Sequence, residues 1–348
     1  MEFGSFMEFH RREGLSQAEA FDESFAHVRQ AEDEGLHGVW LAESHFTPDR
    51  AVLSSPLIIA AAIAGMTRRM QIGTAVHLLP LGNPIRMAED VATLDHVSNG
   101  RLEFGVGRSS APGSYEGYGV SYAESKDRMF EALDVMIAAW TNERFSHHGR
   151  HYDYDDVCLV PKPYQQPYPP VRIAATTDDT FPVLGEMGVP IFIGLRTAGM
   201  PVVMGQVQSY IDAWRRSGHT GEPDVALRVP VHVADTAERA VSEPQESFMR
   251  QFRRLVNLFA STAASGADHA ESRATRAEHL STVTWEEALR EKVAVGTPAM
   301  VIERLGEMRD KLRLNRIVCE FNAGERLPRE KVAASLSLFC REVMPAFA

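Results

Sequence analysis

The chain has 348 residues, 44% hydrophobic and 24% charged, with a formal net charge of −11, the composition of a globular protein large enough to bury its core without disulfide staples. The acidic balance, with no basic cluster set against it, excludes a broad nucleic-acid footprint. No apolar run reaches the ~20 residues that span a bilayer, and "MEFGSFMEFHRR" lacks the charged-then-apolar order of a signal peptide, so a cytoplasmic protein without membrane partners is expected.

Short apolar runs alternate with longer amphipathic segments along the chain. "MEFGSFM" reads as a first strand, followed by a helical stripe of Phe21, Phe25 and Val28 at i, i+4 and i+7. "GLHGVWLAESHF" carries a second strand, Gly38 to Ala42, before Pro56 opens a buried helix. "MQIGTAVHLL" is a third strand. Pro84 starts a helix with Met87, Val91 and Leu94 on one face, and Asn99-Gly100 ends it ahead of the fourth strand, "RLEFGVG". A Gly/Ser/Tyr loop is expected from Arg108 to Val120, then a helix bearing Met129, Leu133, Met136 and Trp140. The proline-rich "HHGRHYDYDDVCLVPKPYQQPYPP" reads as a connection with a hairpin. "VRIAA", "VPIFIG" and "VALRVPVHVA" give strands five to seven. Residues 240–290, rich in Ala, Glu, Ser and Arg, read as an inserted, partly mobile helical excursion. "NRIVCEF" is the eighth strand, and Val332, Leu336, Phe339 and Val343 form a last helical stripe. The cysteines, Cys158, Cys319 and Cys340, lack CxxC spacing, so neither disulfide nor zinc site is expected, and Cys340 reads as core filler. Eight strand–helix units point to a closed (β/α)8 barrel over residues 1–348. A doubly wound open sheet is the alternative, but the first strand–helix turn lacks the dinucleotide fingerprint.

In a barrel, chemistry sits where strands end at their C-terminal side. Those ends hold Glu43, Ser44 and His45; Ala75, Val76 and His77; Gly107, Arg108 and Ser109; and Thr176 to Thr180. The last run combines hydroxyls with the free amides of a helix start, which suits a phosphate. Arg108 could reach the same anion with a forked contact. Helix capping by Thr177 to Thr180 explains the same residues without a ligand. His45 beside Glu43 is the best acid–base candidate, although a lone histidine is commonly structural. His147, His148 and His151 lie in one loop with no second cluster, so no metal is expected. No GxSxG, HExxH or P-loop is present. The residues alone give a barrel enzyme with a phosphorylated ligand.

"LAESHF", "IGTAVHLLPLGNPIRMAEDVATLDHVSNGRLEFGVGRSS" and the tail "VGTPAMVIERLGEM…LPREKVAASLSLFCREVMP" resemble the bacterial luciferase-like flavin monooxygenases, in the FMN branch that holds the luciferase α subunit. The likeness runs through nearly the whole chain in one register. It implies a homodimeric (β/α)8 barrel that takes reduced FMN from a separate, transiently bound flavin reductase. The flavin would react with O2 to give a C4a-hydroperoxide that oxygenates a small organic substrate. By position, Arg108 matches the FMN-phosphate arginine, and Thr176, Thr177 and Thr180 fall on the segment giving further phosphate contacts. Lys126 replaces a second phosphate-binding arginine, keeping the charge and losing the fork. Ala75 and Val76 match the pair against the isoalloxazine, joined in luciferase by a cis peptide. Residues 262–290 align with the mobile loop that shields the flavin. His45 would manage a proton and Glu43 would orient it, with Phe6 and residues near His77 lining a substrate pocket. Two departures argue against light emission: Ser44 replaces a histidine that assists the aldehyde chemistry, and Gly107 replaces the reactive cysteine. An F420-dependent oxidoreductase and a non-catalytic flavin-binding protein are the alternative readings.

Overall fold

A computed structural model describes residues 1–264 and 270–348; the 265–269 part of the expected mobile insertion lies outside the described residues. Eight parallel strands close into a barrel: β1 (Glu2–Met7), β2 (Gly38–Leu41), β3 (Gln71–Thr74), β4 (Leu102–Gly107), β5 (Val171–Ala174), β6 (Ile191–Gly194), β7 (Val225–Val233) and β8 (Arg316–Glu320). Each pairs with its sequence neighbour, and β8 closes onto β1 through Glu2 opposite Arg316. Between them run α1 (Gln17–Asp33), α2 (Pro56–Met66), α3 (Pro84–Ser98), α4 (Pro112–Tyr118), α5 (Ser125–Thr141), α6 (Thr180–Met187) and α7 (Met200–Arg216). After β7 come α8 (Ala237–Ser242), α9 (Gln245–Ala264), α10 (Ala270–Ser281), α11 (Trp285–Glu291) and α12 (Pro298–Leu312), and after β8 comes α13 (Arg329–Leu338). Local chemistry sets the boundaries. Asn83 caps α3 by accepting from the amides of Ile85 and Arg86, Pro84 fills its first turn, and Asn99 ends it at φ 55°. The expected loop from Arg108 to Val120 instead contains α4, because Pro112 starts a turn of helix and Gly119, at φ 68°, stops it.

The strands alternate with period two. Val39, Leu41, Ile72, Phe104, Ile173, Leu227 and Ile317 face outward into the core shared with the helices. Phe6, Trp40, Phe192, Ala226 and Val318 face the barrel axis. Trp40 fills the barrel at mid-height because its neighbours across the sheet are glycines. A Cβ on Gly73 would lie 2.3 Å from the indole, and one on Gly4 would lie 2.6 Å away. Below the indole is an ionic floor. Arg172 bonds Glu103 at 2.7 Å and Asp224 at 2.7 Å, Arg316 bonds Glu103 and Glu2, and both guanidiniums lie over the Trp40 ring, at 6.0 and 5.0 Å.

The hairpin is Phe145–His148 against Asp153–Val157. His147 and His148 each face a carboxylate, Glu131 and Asp153, and no three-ligand metal cluster forms around them among the described residues. The excursion has its own apolar core: Phe248, Phe252, Leu255 and Phe259 on one face of α9 meet Leu280, Val283 and Trp285. It is tied to the barrel rim by Ser247 Oγ to the Ala323 carbonyl and Gln251 Nε2 to Glu320, at 2.6 and 2.7 Å. Cys340 and Cys319 are buried and Cys158 is exposed, all unpaired. Among the described residues no helix is long and apolar enough to cross a membrane.

Candidate active site

The C-terminal ends of the strands bring three constellations to one face. The first is centred on Glu43, two residues past the end of β2. Its Oε1 accepts from His45 Nε2 at 2.6 Å. Its Oε2 lies 2.6 Å from His77 Nδ1 and accepts the Leu78 amide at 3.0 Å. Burial opposes the charge, yet the His77 charge and these hydrogen bonds outweigh it and hold the Glu43 carboxyl down at about 2. An ionised Glu43 requires a donor on His45 Nε2, so in the neutral ring Nδ1 accepts from Tyr118 Oη, 3.3 Å away. Strand parity decides what this group can touch. Trp40 and Ala42 point to the axis, so Glu43 points away from it. Glu43, His45 and His77 line a cleft of about 210 Å3 that also includes Leu57 and Met87 of α2 and α3. They do not line the barrel mouth. What Glu43 does grip is the stretch after β3: its own amide donates to the Val76 carbonyl at 3.3 Å while its carboxylate holds Leu78.

That stretch is the second feature. The Ala75–Val76 peptide is cis, and Ala75 packs beside Ala174 against the inward-facing aromatic layer. Gly107, on β4, lies against it: a Cβ there would be 2.7 Å from Val76 Cγ2 and 3.4 Å from Ala174 Cβ. Position 107 therefore admits no side chain unless Val76 moves.

Beyond Gly107 lies a cationic corner. Arg108 Nη1 donates to Ser125 Oγ at 3.3 Å, and the next residue, Lys126, pairs with Asp179 at 2.6 Å. The hydrogen bond from Lys126 draws the Asp179 carboxyl down to about 2, against a smaller opposing effect of burial. Thr177 Oγ1 and Thr180 Oγ1 are 2.8 Å apart, and Arg276 from α10 donates to the Thr176 carbonyl at 3.3 Å. Arg108, Lys126, Thr176, Thr177 and Thr180 are thus assembled on adjoining segments. The buried Tyr115 hydroxyl lies in the same corner, beside Arg108, Ser125 and the Ser109 backbone. Cations and hydroxyls make a donor set that fits a phosphate. The Ala75–Val76 wall with its side-chain-free neighbour fits a flat ring system beside it.

Sequence reasoning missed the third constellation, an ion-pair network at the mouth. Glu8 accepts from Arg50 and lies 3.7 Å from Arg228, which bonds Glu320 at 2.7 and 2.9 Å. Glu325 pairs with Arg250 and Arg254, and His10 lies 3.5 Å from it. Burial works against the Glu8 charge, but Arg50 and Arg228 hold its carboxyl well below the usual range. Glu8, His10 and Glu325 come close enough to share a cation, but guanidiniums already take both carboxylates. Phe6 lies under this layer, its ring 3.3 Å from the Arg228 guanidinium carbon. The available signal was a charge at an inward position in otherwise apolar strands, as in "RIVCE" and "VALRV".

A family model described as luciferase-like monooxygenase matches residues 1–313. The alkanal monooxygenase alpha chain of the Kryptophanaron alfredi symbiont is 25% identical over 360 residues, covering 99% of this chain and 98% of that one. Two uncharacterised proteins of Sinorhizobium fredii are each 31% identical, and the chain spans only 58% and 49% of their lengths. Among solved structures, the oxygenating constituent of 3,6-diketocamphane monooxygenase from Pseudomonas putida, a type II Baeyer–Villiger enzyme in complex with FMN, superposes with a TM-score of 0.81. It is 21% identical, with 99% of this chain and 98% of that chain covered. With the family match running through every barrel strand except β8, the chain belongs to the luciferase-like monooxygenases.

Proposed function

We propose that the protein is the oxygenase of a two-component system, taking reduced FMN from a separate flavin reductase and transferring one atom of O2 to a small organic substrate. The observation that carries this reading is the continuity of the cationic corner with the Ala75–Val76 wall at the C-terminal face. The FMN-bound structural relative and the alkanal monooxygenase relative support the choice of cofactor and chemistry. Reduced FMN, when bound, supplies the electrons that activate O2. The chain's own residues do the rest. Arg108 spends one donor on Ser125 and keeps the others of its fork for the phosphate. Lys126 and the hydroxyls of Thr177 and Thr180 surround the same anion. Ala75 and Val76 set the plane of the ring, with Gly107 leaving the approach clear. Glu43 acts as a positioning residue, clamping the wall from behind, and His45 donates its Nε2 proton to the Glu43 carboxylate and holds it in place. Arg276, bonded to Thr176, and Arg273, stacked over Tyr122 at 5.1 Å, bring the excursion down over the corner and limit the access of water.

Titration of FMN and of riboflavin, by quenching of flavin fluorescence, tests this reading. Removing charge-assisted bonds worth about 1.5–3 kcal/mol predicts that Arg108→Ala binds FMN roughly 10- to 150-fold more weakly. Riboflavin, which has no phosphate, should bind both proteins alike. Equal affinity of the natural chain for the two flavins would overturn the assignment, and uptake of F420 without FMN would replace it by hydride transfer that needs no O2.

A further inference from the structure

As the substrate class of the oxygenase proposed above, we infer that the barrel mouth takes an organic carboxylate whose anionic head is held by Arg196. This rests on that reading for its reaction, but on separate residues for its binding.

Arg196 lies two residues past the end of β6, on the parity that carries Phe192 toward the axis. It lines a cavity of about 340 Å3 at the mouth, together with the apolar side chains Leu255 and Leu258 of α9. The other guanidiniums around this space are taken: Arg50 by Glu8, Arg228 by Glu320, and Arg250 and Arg254 together by Glu325. Arg196 alone among them has no hydrogen-bond or ion-pair partner in any described residue. Five guanidiniums therefore face three carboxylates, and Asp49 at the rim is turned toward Arg11, 4.0 Å away. Burial, and next the charge of Arg228, pull the Arg196 pKa down to about 9. An anion at this point would relieve both effects.

The missing charge is not the cofactor's phosphate. None of Arg108, Lys126, Thr176, Thr177 and Thr180 lines this cavity. A planar fork facing apolar side chains selects a carboxylate on a hydrocarbon body, with two parallel N–H···O bonds at one end and buried methylenes at the other. Because Arg196 has no hydrogen bond or ion pair with another described residue, its substitution should leave the fold intact.

Octanoate and its neutral isostere octanamide, titrated calorimetrically into the FMN-loaded protein, are the probes. The natural chain should bind octanoate at least tenfold more tightly than octanamide. Arg196→Gln should bring that ratio to about one, and Arg196→Lys, which keeps the charge and loses the fork, should retain part of it. Flavin fluorescence run alongside should show FMN affinity unchanged in both variants. Equal binding of acid and amide, no binding of either at millimolar concentration, or an unchanged ratio in Arg196→Gln would each overturn the inference. If FMN fails to bind at all, the oxygenase reading falls, and the same titration on the flavin-free protein still decides whether Arg196 holds a carboxylate.

Discussion

Replacing Glu43 by glutamine removes a charge and almost no volume, so its effect can be worked from the pair geometry. A carboxyl held at about 2 instead of the ordinary 4.5 prefers its ionised form by roughly 3 kcal/mol. The neutral amide forfeits that preference at pH 7. Unfolding entropy of roughly 2.1 cal/mol/K per residue over 348 residues amounts to about 0.7 kcal/mol/K, so Glu43→Gln should melt roughly 4 °C lower. The pH dependence gives an independent check. A carboxyl whose folded value is depressed contributes stability that is fully present above 4.5 and is lost as pH falls toward 2. The gap between natural chain and variant should thus be full at pH 7, narrow below pH 4.5 and close near pH 2. Scanning calorimetry across that range measures both quantities. A variant melting within a degree of the natural chain at pH 7, or a gap that persists unchanged at pH 3, would refute the account of Glu43 as an ionised clamp.

Gly107→Cys should destabilise by about 1–3 kcal/mol, because its Cβ would be placed 2.7 Å from Val76 Cγ2. A lower urea midpoint together with weaker FMN binding would show that Val76 had moved; an unchanged midpoint would contradict the packing. His27, hydrogen-bonded to Ser5 at 2.8 Å, is held neutral by burial, its pKa lowered to about 4. It should therefore cost stability as pH falls from 6.5 to 4. His27→Gln should flatten that slope by up to about 1.4 kcal/mol per pH unit, and equal slopes in denaturant titrations at pH 5 and 6 would exclude the effect.

The barrel was legible because its outward positions carry the pattern: Val39 and Leu41, Phe104 and Val106, Ile191 and Ile193 repeat at every second residue, and proline or asparagine marks where helices begin. The helical character of the excursion followed from its lack of β-branched residues. The ionic layers were not legible as partnerships, since Arg316 meets Glu103 across 213 positions and only closure of the barrel makes them neighbours. Residue types at the strand ends nominated Glu43 and His45, but which cavity they face depended on parity. Counting from Trp40 places Ala42 on the axis side and Glu43 on the other, information the sequence held once one inward residue was known. Arg196 gave no signal at all, because an unpaired guanidinium is defined by partners that are missing.

The indole at mid-barrel, with its ionic floor, has a consequence for traffic. With Trp40 and Arg172 each 1% exposed, the axis is stoppered at mid-height, and the space above it opens at the mouth. On the proposed reading, flavin, oxygen, substrate and product would share the rim that α9 and α10 already crowd. Turnover on that reading becomes a matter of queueing, in which the shape of the barrel helps set the order of arrival alongside affinity.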